Sequence, residues 1–322
     1  MAREPIGVLD GVVVETNPLI SGRVARSNEF PVGHVFRDVD THGTAVASLA
    51  MWGNLDFVLT KEPRVRQGVP IVSARVLDVD QKNRRLVVAG QAHVTFEQAL
   101  RWMKDEVGIR VVSISINRDL PEAGLLRSEL TSKLDELARE LDLVVVVSAG
   151  NRDTAPATGW MDQYPNYLLE ASNEVTPPGD AALALTVGAS CRRDVPSTEP
   201  RSMMLPVAPL GGPAPFTRTG PVRNHLQFGR AKPELSADGG NLVVDSSSAR
   251  VIRDDAGVSV PVATPPAGGQ ILSTEIGTSY SAPAVAYEVA LIAHRYPDAS
   301  ANSLRALLRR SEVGGLDGLF VV

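Results

Sequence analysis

Short apolar runs rich in Val, Ile and Leu recur along the first half of the chain: Ile6–Leu9, Val69–Leu77, Val111–Ile116 and Leu143–Val147. Continuous runs of this kind predict strands buried on both faces, as in a parallel sheet. Between them the period changes. Phe96, Leu100 and Met103 stand at i, i+4 and i+7 and predict an amphipathic helix over Thr95–Val107. Ser128–Leu141 reads as a helix with acids and bases on its exposed face. Another helix is expected after Asp40, where Asp40 or Thr41 can cap it and the small residues that follow allow close packing on a sheet. This alternation predicts an α/β protein of three layers, with a mainly parallel sheet between helices.

The second half is less regular. Residues 152–180 carry Pro and Tyr and read as an insertion. Ala182–Ser190 is a further strand, and Lys232–Leu235 is a short segment before Asp238-Gly239-Gly240. Residues 192–215 and 243–269 read as long loops, a length that is often functional or mobile. Gln270–Ser273 reads as a short strand. Ala284–Arg295 is a helical run rich in Ala and Val, and the serine before it, Ser279, sits where a loop turns into that helix. Pro283 is expected in the first turn, where a missing N–H costs little. The irregular pieces connect elements of one sheet, so residues 1–322 are read as one domain.

Composition narrows the function classes. With 322 residues, 43% of them hydrophobic, the chain can bury a sizeable core. The net charge of −5 is spread out and leaves no basic footprint for nucleic acid. No apolar run is long enough to cross a membrane, and no Walker-type phosphate loop is present. The single cysteine, Cys191, excludes an internal disulfide and is compatible with a reducing compartment. The N-terminus lacks a signal-peptide pattern. The location expected is therefore cytoplasmic.

Three chemical types then fall at special places, in the order Asp, His, Ser. Asp10 closes an apolar run, where open α/β sheets place their ligands. His42 falls at a helix start, with Gly43 beside it removing side-chain bulk. Ser279 lies at a helix N-terminus, where unpaired N–H groups and the helix dipole favour negative charge. Serine hydrolysis needs these three types: a nucleophile, a proton carrier and a carboxylate that orients the carrier. It also needs an amide donor for the oxyanion, and Asn151 ends the Val-rich run. Each piece also has a bland reading, as an Asp-Gly turn, a structural His or a capping serine.

The sequence resembles the subtilisin-like serine proteases, the subtilases. Val8-Leu9-Asp10-Gly11 is similar to the aspartate motif and His42-Gly43-Thr44-Ala45-Val46-Ala47 to the histidine motif. Ser148-Ala149-Gly150-Asn151 is similar to the oxyanion-asparagine motif, and Gly277-Thr278-Ser279-Tyr280-Ser281-Ala282-Pro283 to the serine motif. Pro215–Gly220 and Lys232–Leu235 resemble the segments leading to that serine. The resemblance implies a sheet of about seven parallel strands and endopeptidase activity. It also implies Asp10 as orienting acid, His42 as general base and Ser279 as nucleophile, with Asn151 and the Ser279 N–H as oxyanion hole. Ser115, Ile116 and Asn117 would pair with substrate and wall the first specificity pocket, opposite Ala149 and Gly150. Family members usually carry Gly where Asn117 stands, which leaves pocket shape open.

No cofactor is required by this chemistry. Residues 52–67 lack a clear calcium-binding pattern, so a structural calcium is left open. The insertion with Tyr164-Pro165-Asn166-Tyr167 is similar to that of a bacterial intracellular branch. That branch implies an AAA-type ATPase partner in systems linked to phage defence. A subtilase-fold protein that binds a peptide or partner without cutting stands as the alternative, beside a hydrolase of non-peptide esters.

Overall fold

The computed structural model describes residues 4–37, 40–60, 67–80, 82, 85–118, 128–153, 159–221, 231–311 and 320–321. The central sheet is built from β1 (Ile6–Asp10), β2 (Val24–Glu29), β3 (Ile71–Arg75), β4 (Val111–Ile114), β5 (Val144–Ser148), β6 (Leu185–Ser190) and β7 (Leu235–Asp238). Its order is β2-β3-β1-β4-β5-β6-β7, and all these neighbours pair in parallel. A short strand at Phe320–Val321 adds antiparallel to β7. The expected seven-stranded parallel sheet is thus present, with one antiparallel edge.

Both faces of the sheet are buried, because successive side chains point to opposite sides. Ile6, Val8, Val144 and Val146 pack with helices α1 (His42–Trp52), α4 (Thr278–Arg295) and α5 (Ala301–Ser311). Leu9, Val145 and Val147 pack on the other side with α2 (Ala92–Trp102) and α3 (Glu129–Glu140). The helix expected over Thr95–Val107 starts three residues earlier and ends in a wider π turn at Met103–Val107. The chain leaves β1 toward β3 on one side and toward β4 on the other. This reversal of strand order opens a crevice at the C-terminal strand ends, where Asp10 lies.

The expected long loops need correction. Met204–Pro206, Val243–Asp245 and Arg250–Ile252 form a three-stranded antiparallel sheet. Val260–Ala267 pairs with Gln270–Glu275 in a hairpin outside the central sheet. Its two-residue turn is Gly268-Gly269, with φ +58° and +84°, the positive values a tight hairpin demands. Residues of the 152–180 insertion also have a core: Trp160, Tyr167 and Leu168 pack with Cys191, Val207 and Phe216. Residues 61–66, on which the calcium expectation partly rests, lie outside the described residues. No helix among the described residues is long and apolar enough to cross a membrane.

Candidate active site

Asp10 is the last residue of β1 and is fully buried. His42 is the first residue of α1. Two glycines let the helix start approach the strand end. A Cβ on Gly43 would lie 2.5 Å from the Gly11 carbonyl oxygen, and one on Gly11 would lie 2.4 Å from Asp40 Oδ2. With both absent, His42 Nδ1 reaches Asp10 Oδ1 at 2.7 Å. The Gly11 N–H donates to the same oxygen at 2.7 Å. Thr41 occupies the N-cap position without a side-chain bond, and Asp40 does the capping, its Oδ1 accepting from the His42 N–H at 2.7 Å.

Electrostatics at this end favour a charged imidazole. Burial opposes the charge on His42, but the Asp10 carboxylate, by charge and hydrogen bond, outweighs it, with Asp40 and Glu275 adding to the effect. The His42 pKa is therefore raised. Asp40 is itself raised, first by burial and then by repulsion from Asp10. Glu275 is raised by burial, and it pairs with the hydroxyl of Tyr280, whose ring stands 5.8 Å from that of His42. Glu275 did not stand out in the sequence and Tyr280 did so only as a member of the serine motif, because their relation to His42 depends on how the hairpin packs beside α1.

Ser279 is the second residue of α4. The helix begins six residues before the expected Ala284, so Pro283 lies in the second turn rather than the first. There its missing N–H removes a donor that would have reached the Ser279 carbonyl four residues back. Ser115 takes over that task, its hydroxyl donating to Ser279 O at 2.8 Å. The start of α4 is held by Gly277, whose N–H donates to Gly239 O at 2.9 Å.

Asn151 follows the end of β5 and faces the helix start. Its Oδ1 accepts from the Thr278 N–H at 3.0 Å and the Thr278 hydroxyl at 3.1 Å. The amide is thereby held through its oxygen, and Asn151 is one of the residues that line the cleft. Gly277, at φ +149°, leaves room there; a Cβ on it would lie 3.3 Å from Asn151 Nδ2. Behind Asn151, the buried Arg218 donates from Nε to Asn151 O at 3.0 Å and from Nη1 to Ser172 O and Glu174 O at 3.1 and 3.2 Å. Thr278 and Arg218 belong to stretches the sequence marks, yet nothing in their spacing says which carbonyl or amide each would hold.

One open cleft, with a cavity volume of about 180 Å³, is lined by His42, Ser115, Ile116, Asn117, Gly150, Asn151 and Ser279, together with Leu77 and Leu86. Asp10 lies behind His42. Ala149 does not face this cleft; it is fully buried and packs with Val175. Among the described residues no group of three or more His, Cys, Asp or Glu side chains is placed to hold a metal ion. Cys191 is buried, and burial pushes its thiol well above the usual range, which leaves it a poor nucleophile.

A parallel α/β sheet with an Asp–His pair and a helix-borne serine at its strand ends has the architecture of subtilisin-like proteases. A solved structure of a lanthipeptide protease superposes with a TM-score of 0.61 at 18% identity, covering 96% of this chain and 81% of that one. The protease domain of PatA, solved as a point mutant, gives 0.54 at 18% identity, covering 90% and 79%. The prenylagaramide maturation protease PagA gives 0.52 at 19%, covering 89% and 73%. At these identities the likeness is one of fold. The sequence model of the subtilase family matches residues 4–320, and the chain belongs to that family. The uncharacterized protein y4bN of Sinorhizobium fredii (strain NBRC 101917 / NGR234) is 34% identical over 225 residues, 66% of this chain and 51% of that one. The chain thus spans about half the length of that curated relative.

Proposed function

We propose that the protein is a serine endopeptidase that cuts peptide bonds through Asp10, His42 and Ser279. Family membership and fold support a subtilisin-like hydrolase. The observation that carries the residue assignment is the 2.7 Å Asp10–His42 bond, set behind a cleft that His42, Asn151 and Ser279 line together.

In this reading Asp10 holds the proton of His42 on Nδ1, which leaves Nε2 as the basic nitrogen. Ser279 Oγ attacks the scissile carbonyl and its proton passes to Nε2. The oxyanion is met by Asn151 Nδ2 and the Ser279 N–H at the helix start. Collapse expels the amine, which takes the proton from His42 and leaves an acyl-enzyme. Water, activated by the same imidazole, then hydrolyses the ester.

Turnover of a peptide library and of matched esters by wild type and Ser279→Ala tests the proposal. Peptide cleavage that vanishes in the variant is the expected result. Turnover of esters alone would replace peptidase by esterase, and silence of the folded wild type toward both would favour a binding protein. The Tyr164–Tyr167 insertion carries with it the proposal of a cytoplasmic setting and an AAA-type ATPase partner in defence. Co-purification from the native host, followed by mass spectrometry, tests that part, and absence of any ATPase from the eluate removes it.

A further inference from the structure

Ser115–Arg118, after one strand end, and Gly150, Asn151 and Asp153, after another, line the same cleft as Ser279. Consider a peptide whose carbonyl carbon lies beside Ser279 Oγ and whose carbonyl oxygen points to Asn151 Nδ2. In the proposed peptidase reading, the side chain of that acyl residue enters the gap between the two segments, the walls that the subtilase resemblance implies for the first specificity pocket. In the structure this gap is spanned by the side chain of Asn117. Its Nδ2 donates to Ser148 O at 2.8 Å and to Thr176 O at 3.2 Å. Its Oδ1 accepts from the Ser148 hydroxyl. Both N–H groups and the carbonyl oxygen of the amide are therefore engaged, and the backbone beside it is tied as well, with the Arg118 N–H donating to Pro177 O at 2.8 Å.

The opposite wall is equally close. At Gly150, φ +94°, a Cβ would lie 2.4 Å from Thr176 Oγ1, 3.1 Å from Arg218 Cδ and 3.6 Å from Asn117 Cγ. Gly150 therefore cannot carry a side chain, and Asn117 Cγ lies within 3.6 Å of the position a Cβ would take there. A large acyl-residue side chain would have to break the Asn117 bonds to β5, whose end residue Ser148 is fully buried.

We infer that Asn117 closes the first specificity pocket and restricts the residue on the acyl side of the cut bond to glycine, alanine or serine. The inference rests on the proposed peptidase reading and names its substrate class. The test is kcat/KM for peptides that differ only at that residue (Gly, Ala, Ser, Leu, Phe), measured for wild type, Asn117→Gly and Asn117→Ser. Wild type is expected to prefer alanine over phenylalanine by at least about tenfold, the scale at which pocket size discriminates. Asn117→Gly is expected to raise the phenylalanine-to-alanine ratio by about 100-fold, with Asn117→Ser between. A merely structural role for Asn117 would lower all five rates alike, and that outcome overturns the inference. So does a wild type that cuts after leucine or phenylalanine as readily as after alanine, a result that leaves the peptidase reading intact. If Asn117→Gly does not fold, as judged by thermal melting, the wild-type profile and Asn117→Ser decide. A folded wild type that cuts none of the peptides and resists a phosphonate probe would fail the peptidase reading, and the inference with it.

Discussion

Removing one hydroxyl tests how the serine helix is held. Among the residues of α4, Ser279 has a carbonyl whose helical donor would be residue 283, a proline without an N–H. Ser115 supplies the hydrogen instead, at 2.8 Å. Ser115→Ala leaves that carbonyl without this donor. An unsatisfied buried acceptor costs about 1–3 kcal/mol, and because Ser279 is only partly buried the lower part, about 1–2 kcal/mol, is expected. The proline is the cause, so the cost must depend on it. In a Pro283→Ala background the restored backbone N–H can bond the Ser279 carbonyl, and Ser115→Ala is then expected to cost less than about 0.5 kcal/mol. Urea unfolding of wild type, both single variants and the double variant, followed by near-ultraviolet circular dichroism with matched m-values, measures the cycle. Equal costs of Ser115→Ala in the two backgrounds would refute the reasoning.

Other outcomes follow from the same geometry. The raised His42 pKa places the acidic limb of kcat/KM above the ordinary value of 6.5, since the base is lost as pH falls through the raised pKa. Asp40→Asn keeps the capping oxygen but removes one charge, so the limb is expected to move to lower pH; an unmoved limb counts against the electrostatic account. Gly43→Ala sets a methyl 2.5 Å from the Gly11 carbonyl oxygen and 2.7 Å from that of Val12. The start of α1 must then shift, and a loss of about 100-fold in kcat/KM with a lower melting temperature is expected, the scale of an ångström-sized misplacement. Asn151→Ala is expected to lower kcat by about 10²–10³ with little change in KM, the effect already known for the oxyanion asparagine of subtilisin rather than one worked from these distances.

The central sheet was legible because its strands are buried on both faces and therefore read as unbroken apolar runs. The three residues proposed for catalysis stood out because each sits at an element boundary: Asp10 at a strand end, His42 and Ser279 at helix starts. What was hidden is long-range. The Val260–Glu275 hairpin is masked by Pro261, Pro265 and Pro266, residues that usually argue against a strand, although the Gly268-Gly269 pair is a hairpin signal in its own right. The start of α4 reads late in the sequence because small polar residues and Pro283 hide its first turns; tertiary partners such as Ser115 make up for the missing donor. The closure of the gap by Asn117 depends on Ser148 and Thr176, which lie 31 and 59 residues away. Local pattern carries no trace of such contacts.

The proposed chemistry stands or falls on whether Ser279 is an activated nucleophile. Labelling the folded protein with a fluorophosphonate, with peptide mapping of the adduct, addresses this directly. The expected result is a single adduct on Ser279, lost in Ser279→Ala and strongly slowed in His42→Ala. No adduct on the folded wild type, or an adduct on another residue that persists in Ser279→Ala, would contradict it.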